Sequence, residues 1–518
     1  MKFTWDKNTE ITAADIPELT EELIFCDEFD QLIGKNVLPN SLKSIEFGDD
    51  FDRPIEENIL PNMSRYDTDE CHIGPNILPN SLETIIFGFS FNQPIGLNVL
   101  PSSLKSIEFG FVFNQPIGLN VLPSSLKSIT FGWHFNQSIG SNVLPDSLKS
   151  ITFGYKFDRM IGENVLPNSL VSIEFGYEHN QVIGENVLPN SLVTIIFGYN
   201  YNQPISKNVL PRSLKSIEFG CKFNQIIGEN ALPNSLETIV FGRHFDQPIG
   251  LNILPDSLKS INFGCYFSQP IDENVLPNSL ESIIFGYDFD HVIGENVLPN
   301  SLKSIRFGYG YNHMICENVL PDSLKTIRFA YFSQPIGEHT LPNSLEFIKF
   351  NHEFNQPIGE NVLPNSLKII KFGHEFNQPI NENVLPDSLE YIGFGGTYNH
   401  SISALHTLNH IEHICINTEN VIEINIELLP SSLKYLHTSN ADIVLSLNPE
   451  SRRMWFSVIY SGSREFLDIT YPILWKSLRK YGDYYKVIGS EIINGKKYDR
   501  VINPKFYRYR SNAKSARK

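Results

Sequence analysis

Phe91 to Val112 reads Phe-Asn-Gln-Pro-Ile-Gly-Leu-Asn-Val-Leu-Pro-Ser-Ser-Leu-Lys-Ser-Ile-Glu-Phe-Gly-Phe-Val, and Phe113 begins the phrase again. With the leading aromatic as phase marker, the phrase recurs at Phe29, Phe51, Phe91, Phe113, Phe135, Phe157, Tyr201, Phe223, Phe245, Phe267, Phe289, Tyr311, Phe332, Phe354, Phe376 and Tyr398. Asp69 and His179 fill the two remaining places, which makes 18 marks. Fifteen of the 17 intervals are 22 residues; one is 18 (Phe51 to Asp69) and one is 21 (Tyr311 to Phe332). A fixed period of this length marks a solenoid, in which each rung buries its apolar face against its neighbours. It overrides the several domains that 518 residues would otherwise suggest.

Within one rung, Leu104 to Phe109 alternates apolar and polar residues as a half-buried strand does, with Leu104, Ile107 and Phe109 inward and Ser106 and Glu108 outward. Gly110 permits a sharp exit, and Phe113 and Ile117 return apolar groups to the interior. Pro101 fixes φ and stops helix propagation, so the opposite side is expected to be extended or a short 3₁₀ turn. Ile stands fourth after every mark, from Ile33 to Ile402, as a repeated core position would. The expected fold is a curved parallel β-solenoid of 22-residue rungs with about 4.8 Å between strands.

Composition excludes other classes. Hydrophobic residues make up 41% of the chain, too many for wholesale disorder, and six cysteines do not make a disulfide scaffold. Cys221 and Cys265 share a column two rungs apart, too far for a disulfide. No apolar run is long enough for a transmembrane helix, and Met1 to Lys7 lacks an apolar signal segment, so no membrane association is expected. The net charge of −17 conceals an asymmetry: residues 451–518 carry 16 Lys and Arg against 5 Asp and Glu. An acidic body bears a basic tail.

Asn recurs seven residues after the mark, from Asn36 to Asn383, with His339 in its place once. Its uniformity predicts a structural ladder of side-chain amides bonding turn backbone, not a recognition strip. A second Asn directly follows the mark (Asn92, Asn114, Asn202, Asn224, Asn355, Asn377), where a loop cap is expected.

Phe-Asn-Gln-Pro-Ile followed by Leu-Pro-x-Ser-Leu-Lys-x-Ile-x-Phe-Gly resembles the FNIP repeat, known mainly from slime moulds and giant DNA viruses of amoebae. The match runs from about Ile16 to Leu405, and its register also resembles short bacterial-type leucine-rich repeats. The resemblance implies interaction modules without enzymatic activity, inside the cell, in the host cytoplasm. Some viral members carry an F-box near the N-terminus and are read as ubiquitin-ligase substrate adaptors. No F-box is visible in the roughly 15 residues before Ile16.

The expected organisation is an N-terminal cap with a half repeat (1–28), the repeat solenoid (29–405), degenerate repeats and a cap (406–450), and a small basic segment (451–518). That last segment is expected to be α+β or β-rich. Trp455 to Tyr460 and Tyr484 to Ile488 read as strands, and Asn494-Gly495 reads as a hairpin turn before Tyr498 to Ile502. Residues 511–518 are expected to be disordered.

No catalytic motif, phosphate loop or zincin signature is present, so no catalytic residue and no cofactor are assigned. His406, His410, His413 and Cys415 fall within ten residues, but a His-rich cap explains them without zinc. His352 and His374 share a column on adjacent rungs with no further ligand evident, so no metal site is assigned there.

A binding surface must lie where columns vary. The outward Glu108 column turns basic at Arg306, Arg328, Lys349 and Lys371, while the Ser106 column becomes Phe347, Ile369 and Tyr391 over the same rungs. These seven residues form the candidate partner site, and an acidic protein is the expected partner. Packing against the basic C-terminal segment would explain the same change. An aromatic column after the glycine (Phe89, Phe111, Trp133, Tyr155, Tyr177, Tyr199, then Tyr287, Tyr309 and Tyr331) is expected to be a structural ladder, with a ligand stripe as the alternative. The sequence thus predicts a non-enzymatic scaffold that binds a protein along its solenoid face. The alternative is a nucleic-acid-associated factor, in which residues 451–518, with Phe506-Tyr507-Arg508-Tyr509-Arg510, touch phosphates.

Overall fold

In the computed structural model the strand falls where apolar and polar residues alternate. In the rung quoted above it is Ser106–Glu108, with Ile107 buried between half-buried Ser106 and exposed Glu108. The structure describes residues 1–55, 77–417 and 429–438, with four further strands, Ala441–Asn448, Arg453–Tyr460, Val487–Ile493 and Lys496–Ile502. Asn58, Ile73, Asn76 and the 18-residue interval after Phe51 lie outside the described residues. So do the expected Tyr484 to Lys486 start of a strand, the run Phe506 to Arg510 and the expected disorder of 511–518.

The chain divides into two units, Met1–Gln269 and Pro270–Lys518. In the first, parallel strands stack in register, so that Ile107 lies opposite Ile129 and Ile217 opposite Ile239. Its first strand, Lys2–Trp5, precedes the repeat that the sequence reveals and pairs in parallel with Glu22–Phe25. Trp5, Ile11 and Ile16 are buried there, so the rung succeeds on alternation alone, without the Leu-Pro phrase.

In the second unit, parallel strands run from Ser282–Ile284 to Tyr435–Thr438. Ile392, Ile414 and Leu436 pair in turn, each 22 residues after the last, so the strand spacing persists where the rest of the phrase has decayed. A 3₁₀ helix at Ser403–Thr407 lies between the strands Tyr391–Phe394 and His413–Ile416. Beyond it, Ala441–Asn448 pairs antiparallel with Tyr435–Thr438 and with Arg453–Tyr460. The expected hairpin is present, with Ile493 opposite Lys496 across Asn494-Gly495.

The core is a stack of identical layers. Leu104, Ile107, Phe109 and Phe113 are each no more than 3% exposed. Phe109 and Phe113 stack at 4.0 Å between centroids, and Phe113 lies 6.1 Å from Phe135 in the next rung. Two phenyl columns result, each ring contacting its own rung and its neighbours. A single rung lacks the rings of its neighbours, so its burial depends on stacking.

The two asparagine columns exchange the roles that the sequence suggests. The column seven after the mark does not form an amide ladder. Its residues adopt left-handed backbone at every described position from Asn36 to Asn383, with φ of 62° at Asn186 and 59° at His339. Asn186 is exposed, and asparagine recurs there because it tolerates this conformation. The ladder belongs to the column after the mark: Asn92 Oδ1 accepts from the Asn114 N–H at 2.9 Å, and Asn92 O accepts from Gln115 Nε2 at 2.9 Å. A serine column adds a second ladder, with Ser125 Oγ donating to Leu104 O at 2.5 Å. Asn186→Ala is therefore expected to cost about 1–2 kcal/mol through backbone strain, and Asn186→Gly close to nothing. Urea melts of the two variants check this; equal losses would return the role to the side chain.

His179 replaces an aromatic mark and stacks between Phe175 at 4.6 Å and Phe157 at 5.7 Å. Neither ring nitrogen has a hydrogen-bond partner. Burial holds its pKa down to about 4, against a small opposing pull from Asp158. The folded protein thus keeps a neutral imidazole that the unfolded chain protonates near 6.5. Stability is unaffected above that value and falls as the pH drops from about 6.5 towards 4, by up to about 3 kcal/mol. His179→Phe is expected to stabilise by about 1–3 kcal/mol at pH 7 and to flatten this pH dependence, read by denaturant melts at pH 7 and 4.5.

A basic and aromatic strand face as the candidate interface

The candidate residues lie on strands Ser304–Arg306, Thr326–Arg328, Phe347–Lys349, Ile369–Lys371 and Tyr391–Phe394 of the second unit. The parallel register places Arg306, Arg328, Lys349 and Lys371 opposite one another in succession. It does the same for Thr326, Phe347, Ile369 and Tyr391. Because the intervening Ile305, Ile327, Ile348 and Ile370 are wholly buried, both columns face outward. The structure therefore brings all seven candidate residues together on one strand face. Arg306 and Arg328 are exposed; Phe347, Lys349, Ile369, Lys371 and Tyr391 are half-buried.

Stacked cations repel, and two diagonal contacts offset part of this. The Arg328 guanidinium lies 4.8 Å from the Phe347 ring centroid, and Lys371 Nζ lies 4.6 Å from that of Tyr391. Such contacts contribute about 0.5–1 kcal/mol each at exposed sites. No ion pair of these four cations is present among the described residues. The column just before the strand behaves differently: Lys303 pairs with Glu281 at 2.8 Å and Lys325 with Glu346 at 2.9 Å. One outward column is thus neutralised within the chain, and the other is left positive.

The face extends beyond what the sequence reading included. His413 follows Tyr391 in the aromatic column, and Tyr435 follows His413, their rings stacked at 4.5 Å. Cys415 and His437 continue the other column. Burial, with a smaller contribution from His437, lowers the His413 pKa, and burial together with Cys415 raises the Tyr391 phenol. The 22-residue step from Tyr391 was the available signal. The possible zinc set is dispersed: His413 lies in this column, His406 Nδ1 faces Ser403 O at 2.7 Å, and His410 Nδ1 faces Asp387 O at 3.0 Å.

In the first unit the aromatic column stacks continuously. Centroid distances are 4.5 Å for Phe89–Phe111, 5.2 Å for Phe111–Trp133, 3.8 Å for Trp133–Tyr155, 4.2 Å for Tyr155–Tyr177 and 4.4 Å for Tyr177–Tyr199. Phe89, Phe111, Trp133 and Tyr155 border a shallow groove of about 570 Å³ along the strand face. The ring faces are occupied by one another, which fits the structural ladder and leaves mainly edges for a ligand.

Short parallel strands, buried Leu and Ile in fixed register and an almost helix-free return define a leucine-rich-repeat-like solenoid. The chain belongs to the FNIP-repeat family, whose FNIP Repeat profile matches residues 8–50, 29–64, 72–112, 113–156, 135–178, 157–199, 179–222, 223–266, 267–310, 311–352 and 354–397. Among solved structures it is similar to the giant-virus protein CroV588, described as a novel circular LRR protein. The two are 45% identical with a TM-score of 0.71, over 84% of this chain and 68% of that one. YopM from Yersinia enterocolitica is 21% identical with a TM-score of 0.45, over 81% of this chain and 87% of that one. No curated protein matches.

Proposed function

We propose that this FNIP-repeat chain is a non-enzymatic scaffold that binds an acidic protein segment along the strand face of its second unit. The observation that carries the reading is the row Arg306, Arg328, Lys349 and Lys371, which has no carboxylate partner among the described residues and lies beside half-buried Phe347, Ile369 and Tyr391. Arginine and aromatic side chains in a partly dehydrated setting are what interface hot spots use. A row of cations at rung spacing favours an extended acidic segment over a single carboxylate. The LRR-like fold supports a protein-interaction role in general, and the acidic specificity rests on this face alone.

Affinity capture on the immobilised full chain tests the proposal. Retained proteins should be enriched in acidic segments and should elute as salt rises from about 0.05 to 0.5 M, because exposed charge pairs are screened over this range. A captured set with no acidic bias, or one indifferent to salt, contradicts it.

A further inference from the structure

We infer that His352, His374 and Glu375 form a binding site for a divalent transition-metal ion of the Zn²⁺ type. His352 and His374 stand two residues before the marks of successive rungs, in the column that carries Tyr287 and Tyr309 earlier in the same unit. The register sets their rings side by side, with centroids 5.2 Å apart and planes 19° from parallel. Glu375 follows His374 in the same turn, and its Oε1 lies 3.3 Å from His374 Nδ1. One donor atom from each of the three residues lies within 4.8 Å of the other two. On the next rung the column holds Gly396, where a Cβ would come within 2.5 Å of His374 Nε2. A larger residue there would push the His374 ring out of this arrangement.

Two imidazoles and one carboxylate are the donor set of open zinc sites, which leave a position for water or an incoming group. Imidazole nitrogen selects zinc and its neighbours over calcium and magnesium, which prefer oxygen. Bonds of about 2.0–2.1 Å require donors about 3.3 Å apart, so donors up to 4.8 Å apart must approach by up to about 1.5 Å. The His374 and Glu375 side chains are 47% and 44% exposed, which leaves them space to change rotamer towards a shared ion. The sequence shows the two histidines in one column but hides the third ligand. Adjacent residues point to opposite faces in a strand, and His374 and Glu375 lie in a turn, where both face outward.

The test uses the full chain, stripped with a chelator and titrated with Zn²⁺ by calorimetry and with Co²⁺ by visible absorption. The expected result is uptake that is lost in the His352→Ala/His374→Ala double variant and weakened at least about tenfold in Glu375→Gln, since even supporting residues of such sites contribute about 10–100-fold. Protons compete for imidazole, so uptake should also fall as the pH is lowered. His410→Ala should bind as the parent does, and the metal-free variants should melt at the parent temperature. Absence of uptake by the parent, uptake that survives in the double variant, or loss in His410→Ala overturns the assignment.

Discussion

Gly220→Ala is expected to destabilise the first unit by more than about 3 kcal/mol, whereas Gly228→Ala, eight residues later, should be neutral or stabilising by up to about 1 kcal/mol. A Cβ at Gly220 would lie 1.8 Å from Gly198 O and 2.8 Å from Gly198 C, and backbone atoms cannot move aside as a flexible side chain can. The same clash recurs down the column, with 1.7 Å at Gly154 and 1.8 Å at Gly264. This glycine is therefore required by the close approach of successive rungs, beyond the sharp exit that the sequence suggests. At Gly228 nothing lies within 4 Å of the added carbon, so the chief effect there is on the entropy of the unfolded chain. Ala330 and Asn351 replace the column glycine just where the interval shortens to 21 residues. There Asn351 N donates to Phe329 O at 3.1 Å, a local pairing that differs from the regular rungs. Denaturant melts of the two alanine variants give the comparison directly. Equal, small losses would mean that the rungs separate at little cost.

Reversing Arg328 and Lys349 to Glu should weaken capture of the acidic partner by at least about tenfold while leaving the melting temperature unchanged or higher. The two residues lie opposite each other in register, and their repulsion opposes folding. Replacing both by carboxylates repels an acidic segment at the centre of its binding row, where close charge pairs are worth about 1.5 kcal/mol or more each. The variant gives up the Arg328–Phe347 contact, a loss of about 0.5–1 kcal/mol, and gains carboxylates facing Arg306 and Lys371. Binding and stability should therefore separate. Capture that persists at parent strength would remove this face from the interface.

The fold was legible because repetition substitutes for comparison between proteins. An Ile or Leu that returns every 22 residues reports one buried environment many times over, and Ile107, Ile217 and Ile327 are all buried as that logic requires. The placement of the seven candidate residues on one face was legible because period-two alternation fixes the outward columns once the inward ones are known. Where the phrase decays, the strand spacing outlasts its surroundings. His413, Tyr435 and His437 were missed on this face because Thr407-Leu408 replaces the Leu-Pro step before His413 and Asn420 replaces the aromatic mark before Tyr435, so the phrase is broken there even though Leu429-Pro430 returns. The two asparagine columns were exchanged for a different reason. Asparagine serves left-handed backbone and amide ladders alike, and only the φ of Asn186 and the bond from Asn114 N to Asn92 Oδ1 tell which column does which. Lys2–Trp5 was missed because it forms a rung by alternation without any of the repeat's turn residues.

Site-specific photo-crosslinking tests the central claim, that the partner lies on the strand face carrying the basic row. A photoreactive phenylalanine analogue at position 347 replaces a half-buried ring in the middle of that face. The same analogue at position 172 occupies the equivalent column in the first unit, beside Glu174 and far from any basic row in sequence. The account predicts a crosslinked protein at 347, joined through an acidic segment, and none at 172. Adducts of equal yield at both positions, or an adduct at 172 alone, would contradict it.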